Sequence, residues 1–108
     1  MIPVEEITDW SSFHDVFQRS LGFPAFYGRN MDAWIDCMTS VDSPADGLTT
    51  ITVEPGEALI LRIDTSFDFR QRCPEQYEAL LEGSAFVNYR RVERGEPPVL
   101  AILLIDKV

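Results

Sequence analysis

Two short apolar segments with helical patterns between them constrain the fold of this chain more than any other feature. Val99–Ile105 (VLAILLI) is apolar at every position, and Ala58–Ile63 (ALILRI) is apolar except for one arginine. A segment without polar alternation is typical of a strand buried on both faces, as strands of parallel sheets usually are. Two such strands separated by helices favour an α/β fold in which helices cover the sheet.

Four helices are predicted from apolar residues at helical spacing, over residues 10–21, 31–41, 66–72 and 74–94. Thr8 or Asp9 caps the first helix, and Gly22 ends it. Asn30 caps the second, and Pro74 opens the last. The expected core positions are Trp10, Phe13, Val16, Phe17 and Leu21, then Met31, Trp34, Ile35 and Met38, then Tyr77, Leu80, Leu81, Ala85, Phe86 and Tyr89.

Two further segments have some strand character. Leu48–Val53 alternates between apolar and polar residues like a strand at the edge of a sheet, and the next residues, EPGE, form a turn signal. Met1–Val4 fits a very short first strand, but little chain precedes Glu5. This first strand is therefore the weakest element of the predicted fold.

The chain is acidic, with 18 acidic and 9 basic residues, and this limits the partners it attracts. Residues 1–60 hold ten of the acids against two arginines, so the negative field is uneven. Acidity disfavours nucleic acid or an anionic membrane as a partner and favours a basic protein, although a merely soluble surface also explains it. Cations suit the C-terminal end of a helix, so Arg90, Arg91 and Arg94 are expected in solvent there.

Localisation is inferred from the apolar runs and the cysteines. The longest apolar run is too short to span a bilayer. The chain does not open with a basic segment followed by an apolar stretch, the pattern typical of a signal peptide. Two cysteines do not make a disulfide framework, so Cys37 and Cys73 are interpreted as reduced thiols, with Cys37 packed inward. We therefore expect a cytoplasmic protein.

The most informative segment is Pro24–Ser40 (PAFYGRNMDAWIDCMTS). Asp32 and Asp36 are four residues apart, so both carboxylates lie on one helix face and oppose the helix by a few tenths of a kcal/mol. Such a pair suits a cationic site, where each carboxylate binds a guanidinium. Phe26 and Tyr27 lie just before the helix, so the segment resembles a base beside phosphates. Exposed acidic pairs are common, however, and both aromatic residues could simply pack under the loop.

The hypothesis that the chain is an enzyme has weaker support. Asp32 and Asp36 could form an acid–base pair or bind a metal with a nearby glutamate, and His14 could pair with a cysteine as a nucleophile. A lone histidine is more often packed and hydrogen-bonded, and the sequence contains no nucleotide-binding loop or zinc motif. We therefore expect no catalytic residue, no metal and no cofactor.

The segment FPAFYGRNMDAWIDCMTS closely resembles the central segment of the barstar family, small intracellular inhibitors of barnase-type ribonucleases. The match is ungapped over residues 24–39, and the order of elements downstream also fits. The resemblance implies one domain over residues 1–108, with a small three-stranded parallel sheet packed with helices and a first strand that is short or vestigial. It also implies an inhibitor whose second helix and preceding loop plug the active site of a basic ribonuclease.

By the same resemblance, Asp36 is the key acid in the phosphate site of the enzyme and Asp32 is its companion. The implied partner-binding positions are Phe26, Tyr27, Gly28, Arg29, Asn30, Asp32, Ile35, Asp36, Thr39 and Arg90. Phe26 lacks the hydroxyl of the family's tyrosine, and Ile35 replaces its tryptophan. Arg29 and Arg90 stand where the family has acids, so we do not expect tight inhibition of barnase itself. The alternative is a barstar-like scaffold that binds a different basic protein in a regulatory role.

Overall fold

A computed structural model describes residues 1–106 of the chain. It confirms the α/β class and the predicted order of elements, with helix bounds within about two residues of those predicted. Residues 107 and 108 of the predicted domain lie outside the described residues. The elements are α1 (Trp10–Leu21), α2 (Met31–Thr39), β1 (Leu59–Asp64), α3 (Ser66–Arg72), α4 (Pro74–Glu93) and β2 (Leu100–Ile105), with short 3₁₀ turns at Val4–Glu6 and Pro44–Asp46.

The sheet has two parallel strands, paired from Leu59 with Leu100 to Asp64 with Ile105. The predicted third strand is not formed in the described residues. Ile2 donates one hydrogen bond to the Arg62 carbonyl at 2.9 Å, and the chain then turns into the 3₁₀ helix. Pro3 has no N–H to continue a ladder, so the N-terminal contact with β1 ends where it begins.

Helices cover the sheet on one face only, so the prediction of strands buried on both faces is wrong. Ile60 and Leu103 are 61% and 47% exposed, and their cross-strand partners Ala101 and Arg62 are exposed on the same face. Leu61 and Ile63 point the other way and are buried. Apolar composition alone does not show on how many faces a strand is covered, because a short sheet leaves apolar surface in water.

Leu48–Val53 contains bends at Leu48, Thr50 and Ile51 and forms no strand, which corrects the prediction of an edge strand. Its backbone donors bond to the end of α1 and to the turn after α2 instead of to a neighbouring strand. Thr50 donates to the Leu21 carbonyl at 3.0 Å, and Val53 donates to the Val41 carbonyl at 3.1 Å. The segment therefore links the end of α1 to the turn that follows α2.

Helix α1 confirms its predicted caps and the core positions Phe13, Val16, Phe17 and Leu21, but Trp10 is 38% exposed, so its predicted core position is wrong. Asp9 accepts from the Ser12 N–H at 2.8 Å in a capping box, and Gly22 ends the helix at φ = 70°. Phe13 and Phe17 are fully buried in the core. The largest buried side chains are Trp34, Phe13, Phe17, Phe69, Ile7, Met38, Leu61, Ile63, Leu80, Val4, Val16 and Val41.

Helices α2 and α4 pack closely because α4 has a glycine at the contact. A Cβ on Gly83 would lie 2.9 Å from Met31 Cε and 3.1 Å from Trp34 Cζ3, so a larger residue would require these side chains to shift. The predicted apolar side of α4 is partly wrong, since Phe86 and Tyr89 are largely exposed. The residues of α4 that are buried are Gln76, Leu80, Gly83, Ser84, Val87 and Arg91.

Candidate partner-binding face

The loop before α2 is anchored from below by one aromatic residue and exposes another. The Tyr27 hydroxyl lies 2.5 Å from His14 Nδ1, and the Tyr27 ring packs on Phe23 with centroids 4.8 Å apart. Burial raises the pKa of Tyr27 well above its usual range. Phe26, one residue earlier, is 79% exposed. The two neighbouring aromatic residues thus have different roles: Tyr27 fixes the loop and Phe26 offers its ring to solvent.

His14 supports this loop as a neutral side chain. Burial lowers its pKa, and the positive charge of Arg29 lowers it further, while Asp15 opposes the shift. His14 is 4% exposed and lies under the indole of Trp10 in a stacked arrangement. The lone histidine is therefore the packed, hydrogen-bonded residue that such a histidine most often is.

Arg29 fastens the loop to α1 and leads the chain into α2. Its backbone has φ = 55°, in the left-handed region that costs a non-glycine residue conformational energy. The guanidinium lies 2.9 Å from Asp15 and donates to the Ser11 carbonyl at 3.0 Å. The next residue, Asn30, caps α2 by accepting from the Ala33 N–H at 2.8 Å. These bonds fix the direction in which α2 leaves the loop.

Asp32 and Asp36 are both exposed on the outer side of α2, as predicted. Asp36 forms an ion pair with Arg90 of α4, with Nη1 to Oδ1 at 3.0 Å and 64% of the carboxylate side chain still exposed. Asp32 forms no ion pair within residues 1–106. We call the exposed surface formed by Phe26, Arg29, Asp32, Asp36 and Arg90 the α2 face.

The other predicted partner-binding positions lie around this face and differ in exposure. Gly28 and Asn30 are exposed at its loop end, and Ile35 is half-buried beside α4. Thr39 is buried and donates its hydroxyl to the Ile35 carbonyl at 2.6 Å. Tyr27 and Thr39 are both buried in the free protein, and their contact with a partner stays a prediction. In each case the hydroxyl is used within the fold, which sequence spacing alone does not reveal.

A shallow apolar groove between α2 and α4 adjoins the α2 face and was missed by the sequence analysis. It has a volume of about 290 Å³, and its outer wall is Phe86, which is 48% exposed. The apolar residue near Gly83 that lines the groove, Phe86, was predicted to be a core residue. The groove is lined by Met31, Ile35, Ala79, Glu82, Gly83 and Phe86.

A buried ion pair that was not predicted from the sequence holds α4 against the end of α2. Arg91 Nη1 and Nη2 donate to the Asp42 carboxylate at 2.8 and 2.6 Å, and Nη1 also donates to the Thr39 carbonyl at 3.0 Å. Arg91 is 3% exposed, so it is not in solvent as expected. Its hydrogen bonds lower the pKa of Asp42. The available signal was its position in the series 80, 84, 87 and 91, the spacing of a buried helix face.

The chemistry of the site favours binding over nucleophilic attack. Burial raises the pKa of the Cys37 thiol to about 11, and the neighbouring Asp36 contributes, so the thiol stays protonated near neutral pH. His14 is already bonded to Tyr27 through Nδ1. Within residues 1–106, no three histidine, cysteine or acidic side chains converge to hold a metal ion. Also within these residues, none of the helices has the length and apolar character needed to cross a bilayer.

Comparisons with known proteins extend this picture. A comparison with curated proteins gave no match. The family model described as Barstar (barnase inhibitor) matches residues 1–101. This range includes the anchored loop, α2 and the α4 residues that contact it. The match covers far more than the central motif, so the chain belongs to the barstar family and is a barnase-inhibitor-like protein.

Proposed function

We propose that this protein inhibits a basic ribonuclease by covering its active site with the α2 face. The observation that carries the proposal is the exposed pair of carboxylates, Asp32 and Asp36, beside a ring that is 79% exposed, Phe26. A ribonuclease active site binds phosphates with cationic side chains and stacks a base. Two carboxylates one helical turn apart and an aromatic ring offer similar chemistry.

The anchoring of the loop supports this role because ordering a loop on binding reduces affinity. The buried Tyr27–His14 contact and the bonds of Arg29 to α1 hold the loop in the free protein. Asn30 fixes the start of α2 through its cap. In the proposed complex, Phe26, Asp32 and Asp36 contact the enzyme, while Gly28, Asn30 and Ile35 complete the contact and Tyr27 and Thr39 position it.

The proposal also covers the biological setting. An inhibitor of this kind protects the cell that makes a ribonuclease, so we propose a cytoplasmic immunity or antitoxin role. The excess of acids in residues 1–60 should accelerate association with a basic enzyme and make it sensitive to salt.

The decisive experiment compares tagged wild type with the Asp32→Ala/Asp36→Ala variant in pull-downs from the source lysate, followed by RNA-cleavage assays of the retained proteins. We expect the wild type to retain and silence a basic ribonuclease. The single variant Asp36→Ala should weaken inhibition by about 2 kcal/mol or more, roughly thirtyfold in the inhibition constant, as central charged residues of interfaces do.

The Glu75→Ala/Glu78→Ala variant is a matched control, because it removes two exposed acids from α4 and changes the net charge equally. It should retain the enzyme as the wild type does. Equal loss of enzyme retention in both double variants would show that net charge alone explains the effect. This result would refute the assignment of the α2 face. Specific retention of a basic protein without ribonuclease activity would favour the alternative, a scaffold with a regulatory partner.

A further inference from the structure

The central acid of the α2 face is already bound to a cation of its own chain. Arg90 Nη1 lies 3.0 Å from Asp36 Oδ1 and donates a hydrogen bond to it. Asp32 stays outside this pair, and Arg29 at the other end of the face is paired with Asp15. The α2 face therefore presents carboxylates and guanidinium groups side by side, and its field is of mixed sign.

Two features of α4 hold the backbone of Arg90 beside α2. The next residue, Arg91, is buried and bonded to Asp42 and to the Thr39 carbonyl. About two turns earlier, Gly83 is in close contact with α2. A partner can therefore displace only the side chain of Arg90, and its charge stays beside the bound surface.

This arrangement has opposite consequences for two kinds of partner. A partner with cations opposite both Asp36 and Arg90 must break the internal pair and place like charges together, which disfavours binding. A partner with a cation for Asp36 and a carboxylate for Arg90 exchanges one ion pair for two. We propose that Arg90 is a specificity-determining residue that selects a ribonuclease of the second kind; this inference rests on the proposed function.

Barnase is the probe, because its inhibition names the family. Under this inference, this basic ribonuclease is treated as a partner of the first kind. Inhibition of barnase would be measured for the wild type and for Arg90→Gln, Arg90→Glu and Arg90→Lys. Arg62→Gln is the matched control, because Arg62 forms a similar exposed pair with Asp64 at 2.8 Å on β1. Thermal unfolding of each variant would establish that it is folded.

We expect Arg90→Gln to tighten inhibition about fivefold, the upper range for an exposed pair, and Arg90→Glu to tighten it further by removing repulsion. Arg90→Lys should behave as the wild type, because it keeps the charge. Arg62→Gln should change inhibition less than twofold, since its charge change lies on the sheet.

Unchanged or weaker inhibition by Arg90→Gln and Arg90→Glu would overturn the inference, and so would a complete lack of inhibition by all variants. Equal tightening by Arg62→Gln would also overturn it, because net charge alone would then explain the gain. The proposed function fails separately, in the lysate experiment, if the wild type silences no ribonuclease there. Adding Asp36→Asn to Arg90→Gln should abolish the gain, which ties it to the freed carboxylate.

Discussion

Two consecutive residues of α4 form ion pairs that differ in almost every respect. Arg91 is 3% exposed and holds Asp42 with two hydrogen bonds, while also bonding the Thr39 and Pro97 carbonyls. Arg90 is 36% exposed and holds Asp36 with a single bond at 3.0 Å. Successive residues point about 100° apart around a helix, so one arginine faces the core and its neighbour faces the partner surface.

The difference separates a pair that belongs to the fold from one that is available for exchange. A buried pair with several hydrogen bonds is costly to break, because the remaining charge has no water to replace its partner. An exposed pair is worth little, because water and salt replace each partner readily. Arg91 therefore fixes α4 on the end of α2, and Arg90 tunes the charge of the α2 face.

The largest expected effect is on the buried pair. Arg91→Met keeps much of the side-chain volume but leaves the Asp42 carboxylate and two backbone carbonyls without their donor, so we expect a loss of about 3–5 kcal/mol in unfolding free energy. Arg90→Met should lose less than about 1 kcal/mol. Urea unfolding of both variants measures this contrast. Equal losses would contradict the division between the two arginines.

Acid provides a second way to weaken only the buried pair. The Asp42 pKa is lowered in the folded state, mainly by hydrogen bonds from Arg91, so the unfolded chain takes up this proton first as the pH falls. The stabilisation is present at neutral pH and above the ordinary aspartate pKa of 3.8, and is lost as the pH falls through the lower folded-state pKa. Urea unfolding at several pH values should show a shallower acid loss for Asp42→Asn than for the wild type.

The control for this titration is the Arg91→Met background. There, Asp42→Asn should no longer make the acid loss shallower, because the Arg91 hydrogen bonds that lower the Asp42 pKa are gone while burial, which raises it, remains. Some acid dependence remains in every variant, since hydrogen bonds also lower the pKa of Asp9 and Asp106. An undiminished slope in Asp42→Asn would show that the buried pair does not set the acid response.

The helices were predictable because their signals are local. Asp9, Gly22 and Asn30 act within one turn of the chain, and each was predicted in the role that the structure shows. The burial of the sheet was not predictable, because the residues that cover a strand face come from distant segments of the chain. Ile60 looks like a core residue in sequence, but no helix reaches its side of the sheet. The predicted N-terminal strand does not form, because the chain makes one hydrogen bond to β1 at Ile2 and then turns into the 3₁₀ helix Val4–Glu6.

The candidate site follows the same rule. The shared helix face of Asp32 and Asp36 follows from their spacing, whereas the sequence left open whether Phe26 packs under the loop, and only the structure shows it exposed. The burial of Tyr27 depends on His14, which lies 13 residues earlier, and the burial of Arg91 depends on Asp42, which lies 49 residues earlier. A charged residue is expected in solvent unless a partner is known, and sequence periodicity does not name that partner.

The smallest expected effect tests whether the exposed pair is exchangeable. A double-mutant cycle with Asp36→Asn and Arg90→Gln should give a coupling of about 0.2–1 kcal/mol in unfolding free energy at low salt. The coupling should shrink at 1 M salt, where screening acts over about 3 Å. A coupling above 2 kcal/mol that resists salt would make this pair part of the fold. A partner could then not take Asp36 from Arg90, and the two arginines would no longer have different roles.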